Sequence, residues 1–309
     1  MKKFASIGEC MVQLLQQEDG RYIRNYAGDT HSAAQYLAWL GREQNITSSY
    51  VTVLGQDKFG TQMLADWQDK GLDTSLVMTT AQKNTGLYFA DTDKQGHRDY
   101  TYYRSDAAAK LIFRMPQSAS IMSDLQLYDM IYSSAITLMI LNDEDRQKLV
   151  DLYQSSQARG IQTAFDTNYR PAGWQSDKEA RKWIDAILAY TDIAFPTDDE
   201  NAALYGDKSA EQTAKRIHKA GAKEVVVKCG SEGCLIKTDK EQIHVASVPN
   251  VKVRDTTAAG DSFNAGYLYA RFNDKLLYEA AAFGHEVASQ VIQYQGALID
   301  PVLLPSLTS

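Results

Sequence analysis

The sequence predicts an α/β protein: a mostly parallel sheet covered on both faces by helices, with a small separate β lid. Three observations carry this expectation. Strand-like β-branched runs recur through the chain, helix-like amphipathic stretches lie between them, and two β-like segments fall outside that rhythm.

Strands are expected at residues 4–7, 50–54, 130–133, 161–165, 193–195 and 224–228, short runs of the residue types that fit a pleated surface. Helices are expected at 30–40, 60–70, 143–159, 178–190, 210–220 and 262–272. Gly41, Gly71, Gly160 and Gly221 fall just past four of them, where a left-handed C-cap is easiest for glycine. Strand and helix alternating this often imply parallel strands with helical crossovers. The segments at about 11–26 and 85–104 break the pattern. The second reads Gly86 to Asp91, a polar turn at 92–96, then Tyr100 to Arg104, a hairpin signature. With no helices to pair them into the main sheet, they are expected to form a lid that closes a site against water; edge strands of the main sheet are the alternative. No linker, repeat or low-complexity tract divides the chain, so 1–309 reads as a single domain.

Composition narrows the function. A net charge of −7 with 23% charged residues offers no basic face for nucleic acid or a membrane surface. No apolar stretch reaches the roughly 20 residues of a membrane helix, and the basic start breaks at Gly8-Glu9 before a signal-peptide core forms. Cys10, Cys229 and Cys234 form no Cys-x-x-Cys pair, which argues against a disulfide framework or zinc site. A soluble cytoplasmic protein is expected.

The most informative run is Asp255-Thr256-Thr257-Ala258-Ala259-Gly260-Asp261, leading into the helix at 262–272 with Gly266 inside it. Small residues with bare N–H groups entering a helix build an anion hole from those groups and the positive helix end. A carboxylate beside such a hole can take a proton from an alcohol while the hole holds charge on a transferring phosphoryl group. An Asp there also simply caps helices. The chain has no Gly-x-x-x-x-Gly-Lys-Ser/Thr loop, no Gly-x-Gly fingerprint and no Gly-x-Ser-x-Gly elbow. Phosphate binding must therefore use the 258–260 turn.

Other constellations follow expected strand ends, where open α/β sheets bind ligands. Asp166-Thr167-Asn168-Tyr169-Arg170-Pro171 is either a site or a strand-end turn. Lys228-Cys229-Gly230-Ser231-Glu232-Gly233 lets a nucleotide approach the backbone or makes a hairpin. Pro196-Thr197-Asp198-Asp199-Glu200 offers carboxylates to Mg²⁺-bound water or is the acidic first turn of a helix. Asp29, after Ala27-Gly28, accepts sugar hydroxyls or caps a helix. His31, His97, His218 and His244 lack partners at motif spacing, and His285 reads as a packed or surface residue.

Taken in order, Ile7-Gly8-Glu9, Ala27-Gly28-Asp29, Val53 to Asp57, Asp166 to Arg170, Thr197 to Glu200, Lys228 to Gly233 and Asp255 to Asp261 resemble the ribokinase-type (PfkB) carbohydrate kinases over nearly the whole chain. Tyr88, Tyr102-Tyr103-Arg104 with Ala107-Ala108-Ala109, Asn168 to Pro171, and Val291 to Ala297 are similar to the branch that phosphorylates 2-keto-3-deoxygluconate. The resemblance implies a ribokinase-like three-layer sandwich that uses ATP and Mg²⁺ on the terminal 6-hydroxyl of this sugar acid. It implies Asp261 as catalytic base, with Ala258, Ala259 and Gly260 as the anion hole, Ala258 and Gly260 also meeting the nucleotide. Asn168, Lys228, Gly230, Ser231 and Gly233 would line the nucleotide site. Glu200 would organise Mg²⁺ through water, and Asp255 would help hold a monovalent cation such as K⁺. Gly28 and Asp29 would meet the sugar, and lid edges would pair two subunits. A sugar carboxylate calls for guanidinium groups, here Arg104 and Arg170, with Tyr88 and Tyr102 offering hydroxyls and ring faces. Three residues depart from the family pattern: Ala258 for Gly, Ser32 for Asn and Thr197 for Asn. The Ala258 exchange is harmless only where no positive φ is required.

Overall fold

A computed structural model describes residues 1–17, 19–92 and 98–307. In chain order its strands are β1 (Lys2–Ile7), β2 (Met11–Gln16), β3 (Tyr22–Ala27), β4 (Ile46–Gly55), β5 (Val77–Thr80), β6 (Leu87–Thr92), β7 (Arg98–Tyr103), β8 (Met130–Ser134), β9 (Gln162–Asp166), β10 (Ile193–Phe195), β11 (Glu224–Lys228), β12 (Cys234–Lys237) and β13 (Gln242–Val245). The helices are α1 (Asp29–Gly41), α2 (Lys58–Asp69), α3 (Ser118–Asp124), α4 (Ala135–Ile140), α5 (Asp143–Ala158), α6 (Asp177–Leu188), α7 (Asp198–Tyr205), α8 (Ala210–Ala220), α9 (Ala259–Phe272) and α10 (Leu277–Val291).

Nine strands form the main sheet in the order β13-β12-β11-β10-β9-β8-β1-β4-β5. It is parallel from β11 to β5 and closes with two antiparallel strands, β12 and β13. The period of two explains the layers. Ala5, Ile131, Phe165 and Val225 point to one face and pack against α3 to α8; Phe4, Met130, Ala164 and Val226 point to the other, under α1, α2, α9 and α10. The expected three-layer arrangement is therefore present.

Strand order reverses between β1 and β8: the chain runs outward through β4 and β5 on one side and through β9, β10 and β11 on the other. Two crossovers leaving in opposite directions open a crevice at the carboxyl ends of the strands. Gly8-Glu9, Ser134, Asp166 and Lys228 all sit at that edge, at or just past the ends of β1, β8, β9 and β11.

The second sheet runs β3-β2-β6-β7 and shares no strand with the first, which removes the edge-strand alternative. Its inner face carries Met11, Leu15, Ala27, Tyr88 and Ala90, packed on Ala297. Tyr22, Ile23 and Tyr103 are exposed. Of the turn expected at 92–96, the part after Thr92 lies outside the described residues, as does His97.

Gly71, Gly160 and Gly221 have φ of +78°, +79° and +134°, as a left-handed C-cap requires. Gly41 does not. It ends α1, Arg42 after it is right-handed, and the positive φ falls on Asn45 at 56°. Gly41 is small for packing: a Cβ there would lie 2.8 Å from Ile46 Cβ. The short strands β5 and β13 and the helices α3 and α4 have no counterpart in the periodicity reading.

Gly266 lets α9 and α10 approach closely. A Cβ on it would sit 2.9 Å from Val287 Cγ2 and 3.1 Å from Gly284 Cα. Replacing Gly266 with Ala should lower stability by roughly 1 kcal/mol, since overpacking of about 1–3 kcal/mol exceeds the helix-propensity gain of about 1 kcal/mol. Thermal denaturation measures it; a stabilised variant would show that the two helices can separate at no cost.

Candidate active site

The 255–261 run forms the turn into α9, which begins at Ala259, three residues before the expected start. Ala258 is the N-cap at φ 59° and ψ 17°, the left-handed region where glycine is favoured. The positive φ that would make the Ala-for-Gly exchange matter is therefore present. The Ala259 N–H turns back to Thr256 O at 3.2 Å, closing the turn. Gly260 and Asp261 are the next two residues of the first turn, where N–H groups have no intrahelical acceptor. They are placed to form the expected anion hole, with Ala259 closing the turn behind them.

Asp261 lies on that first turn. Burial raises its pKa well above the usual carboxylate range, and Asp29 and Asp166 push it up further, while Lys228 and Arg170 pull it down. Asp29 is not a cap. Gly28 is the N-cap and Asp29 opens α1, with its Oδ2 accepting from Asn168 Nδ2 at 2.8 Å. Burial raises its pKa too, against the bond from Asn168. Gly28 has an extended backbone, and its lack of a side chain serves contact: a Cβ would lie 2.3 Å from Glu9 O.

Asp166, at the end of β9, is the hub. Its Oδ2 accepts from Lys228 Nζ at 2.7 Å and from Asn264 Nδ2 at 2.6 Å, and its Oδ1 accepts from the Asn168 N–H at 3.0 Å. Asn264, one turn along α9 from Asp261, also donates to the Tyr132 hydroxyl at 3.1 Å. Asn168, expected to line the nucleotide site, thus stands beside Asp29, expected to meet the sugar.

Arg170 is paired with Glu200, whose other oxygen accepts from the Tyr169 N–H at 3.2 Å. Glu200 sits in the acidic first turn of α7, and burial raises its pKa against the Arg170 charge. Arg104, just past β7, pairs with Glu9, which is buried with its Oε1 unpartnered. Burial is the largest influence on Glu9 and raises its pKa, with Arg104 opposing. Both arginines expected to meet a sugar carboxylate therefore already hold an internal one. Tyr88 accepts from Gln13 Nε2 at 2.8 Å, and its ring lies 5.4 Å from the exposed Tyr102.

The 228–233 segment makes the hairpin between β11 and β12 and also offers the open approach. Gly230 has φ +55° with free space where a Cβ would be, beside Ser231; Gly233 has φ +102° and lies against Val245 O. Asp255 ties two loops together, accepting from the Thr257 N–H at 3.0 Å, the Thr257 hydroxyl at 2.7 Å and the Gly296 N–H at 2.9 Å. His31 is fully buried against Trp67, its pKa pushed down to about 3 by burial. His285 packs on Phe263 and is pushed down to about 4. Both are structural.

Among the described residues no group of three or more His, Cys, Asp or Glu could enclose a metal ion. The donor set fits Mg²⁺ carried chiefly by phosphate oxygens and water, as that ion prefers. Sequence reasoning missed Gln13, Ser134 and Asn264, and passed over Glu9 and Asp166 within the runs that contain them. Asn264 was detectable three residues past Asp261, on the same helix face.

Free N–H groups at a helix start, an adjacent carboxylate and a small second sheet, set at the crevice of a doubly covered sheet, are what a small-molecule phosphotransferase needs. Residues 1–302 match the family described as pfkB family carbohydrate kinase. Similar relatives are the 2-dehydro-3-deoxygluconokinases of Dickeya dadantii, 41% identical over 308 residues, and of Escherichia coli K12, 42% identical over 309 residues, each match covering 99% of both chains. Similar solved structures include a fructokinase with bound ATP from Xylella fastidiosa (TM-score 0.84, 21% identity, 99% of this chain and 95% of that one). A PfkB protein from Polaromonas sp. JS666 matches at TM-score 0.82 and 25% identity, over 95% and 96%. The chain belongs to the pfkB family of carbohydrate kinases.

Two outcomes follow from this geometry. Ala258→Gly keeps the N–H and removes a left-handed penalty of about 1–2 kcal/mol, so the melting temperature should rise; a fall would mean that Ala258 is unstrained. Asp261→Asn should also stabilise the protein. The folded pKa exceeds the unfolded one, so the folded state binds the extra proton, and stability drops as pH rises through the folded pKa. Above that pH the variant should melt higher than the wild type, and the gap should close as pH falls towards the unfolded value of about 4. An equal or lower melting temperature at pH 8 would contradict the crowding.

Proposed function

We propose that this chain transfers the γ-phosphoryl group of ATP to the 6-hydroxyl of 2-keto-3-deoxygluconate, giving the 6-phosphate and ADP. One observation carries the reading: Asp261 stands on the first turn of α9 in a chain alike over its full length to enzymes named for this substrate. The 6-hydroxyl oxygen attacks the γ-phosphorus as Asp261 takes its proton. The bond from the γ-phosphorus to the bridging oxygen breaks, and its electron pair leaves with ADP. The Gly260 and Asp261 N–H groups and the positive end of α9 hold the charge on the phosphoryl oxygens. Mg²⁺, when bound with the nucleotide, shields phosphate charge, and Glu200 would order its water. Asp29, held by Asn168, would accept from sugar hydroxyls alongside Gly28. Gly230, Ser231 and Gly233 would face the nucleotide.

Asp255 would favour a monovalent cation beside the loops it joins. The outward tyrosines of the lid support pairing of two subunits there, and the use of ATP suits a cytoplasmic protein. No helix among the described residues is long and apolar enough to cross a membrane.

A second reading has its own support. Because Arg104 and Arg170 already pair with Glu9 and Glu200, a neutral sugar such as fructose would need nothing from them. ADP release with 2-keto-3-deoxygluconate, fructose, ribose and gluconate decides. Turnover confined to the keto-deoxy acid is expected. Arg104→Ala and Arg170→Ala should each raise its KM roughly 10–100-fold, the size of a lost charge-assisted bond. Turnover on fructose alone, untouched by either change, would overturn the substrate.

A further inference from the structure

Lys228 does not reach towards the Gly230–Gly233 opening. Its ammonium is drawn back by Asp166 at 2.7 Å and lies 3.2 Å from where a Cβ on Gly260 would be, over the first turn of α9. A Cβ at Gly260 would crowd it, so the bare first turn gives the ammonium room. The Lys228 side chain is 13% exposed and Asp166 2% exposed, so the cation is fixed and poorly hydrated. Asp166 cannot swing away, because Asn264 and the Asn168 N–H hold both of its oxygens. A cation held beside the N–H groups of an anion hole is placed for the charge that forms there, more than for a ribose or a base.

We propose that Lys228 is a catalytic residue that contacts the transferring phosphoryl group, positioned by Asp166 and admitted by the absence of a side chain at Gly260. The inference rests on the kinase reading above and assigns one of its residues to the reacting centre. In the step, Lys228 donates a hydrogen bond from its ammonium to a non-bridging γ-phosphoryl oxygen. It keeps its proton; the hydroxyl proton still goes to Asp261, and the leaving electron pair goes to ADP. Asp166 touches no substrate atom and acts through Lys228.

The test is steady-state kinetics of Lys228→Ala and Asp166→Asn, on whichever acceptor the wild type phosphorylates, with melting temperature recorded for each. Lys228→Ala should lower kcat by at least ~10²-fold, the size seen when one donor to a developing charge is removed, with KM for ATP little changed. Ethylammonium, which fits the space left by the lysine and restores its charge, should recover at least about tenfold of kcat for Lys228→Ala, about half of the transition-state stabilisation that a ~10²-fold loss represents. Asp166→Asn should lower kcat with KM for ATP kept, and ethylammonium should not rescue it. A loss confined to KM for ATP would make Lys228 a nucleotide-binding residue, and a loss without rescue in a less stable variant would make it structural. Either overturns the inference. Failure of the substrate reading is separate: it appears as wild-type silence on the keto-deoxy acid.

Discussion

Three carboxylates, Asp29, Asp166 and Asp261, converge on one crevice, and the rest of the site is organised around keeping them there. Asp29 and Asp166 raise the cost of ionising Asp261, Asp166 raises that of Asp29, and burial adds to both. Lys228, Arg170 and the positive end of α9 offset the charge only in part, so Asp261 is held well above the usual carboxylate range. The proposed base needs that poise: a pKa nearer the working pH takes a proton more readily than an ordinary aspartate. The same crowding destabilises the empty protein, a common balance between stability and activity.

The sheet makes the convergence possible. Parallel strands deliver all their carboxyl ends to one edge, and the reversal of order between β1 and β8 opens the crevice there. Close helix packing through Gly266 seats α9 on α10, and the left-handed Ala258 aims the first turn at the crevice. Gly260 then has a structural reason beyond its free N–H, since a Cβ there would press on the Lys228 ammonium at 3.2 Å. The lid joins from the far side by Arg104, whose buried partner Glu9 follows directly from β1.

Local patterns gave most of the frame. The strand at 224–228 and the helix at 210–220 were legible to the residue, because β-branched runs and a Ser-capped amphipathic stretch are strong local signals. The strands β5 and β13 are the two edges of the main sheet and carry exposed positions, so they lack the continuous apolar run that marked the shorter, buried β10. Gly41 misled because glycine after a helix has two explanations, a left-handed cap or a tight contact, and here Ile46 decides. The motif at 255–261 was readable as an anion hole with a base, but the positive φ of Ala258 was not. Alanine carries no sign of it, and only the turn that Ala259 closes on Thr256 requires it. Ion pairs were the least legible part. Arg104 and Glu9 are 95 residues apart, and nothing local marks them as partners.

The most direct measurement is the pH dependence of kcat/KM for the sugar acid, with wild type and Asp261→Asn side by side. If Asp261 is the base, wild-type activity falls on the acid side with an apparent pKa above the ordinary aspartate value of about 4. The variant should then lose that limb and run at least ~10²-fold slower at its best pH. A variant close to wild-type turnover, or an acid limb at the ordinary aspartate value, would contradict the account of the crowded carboxylates.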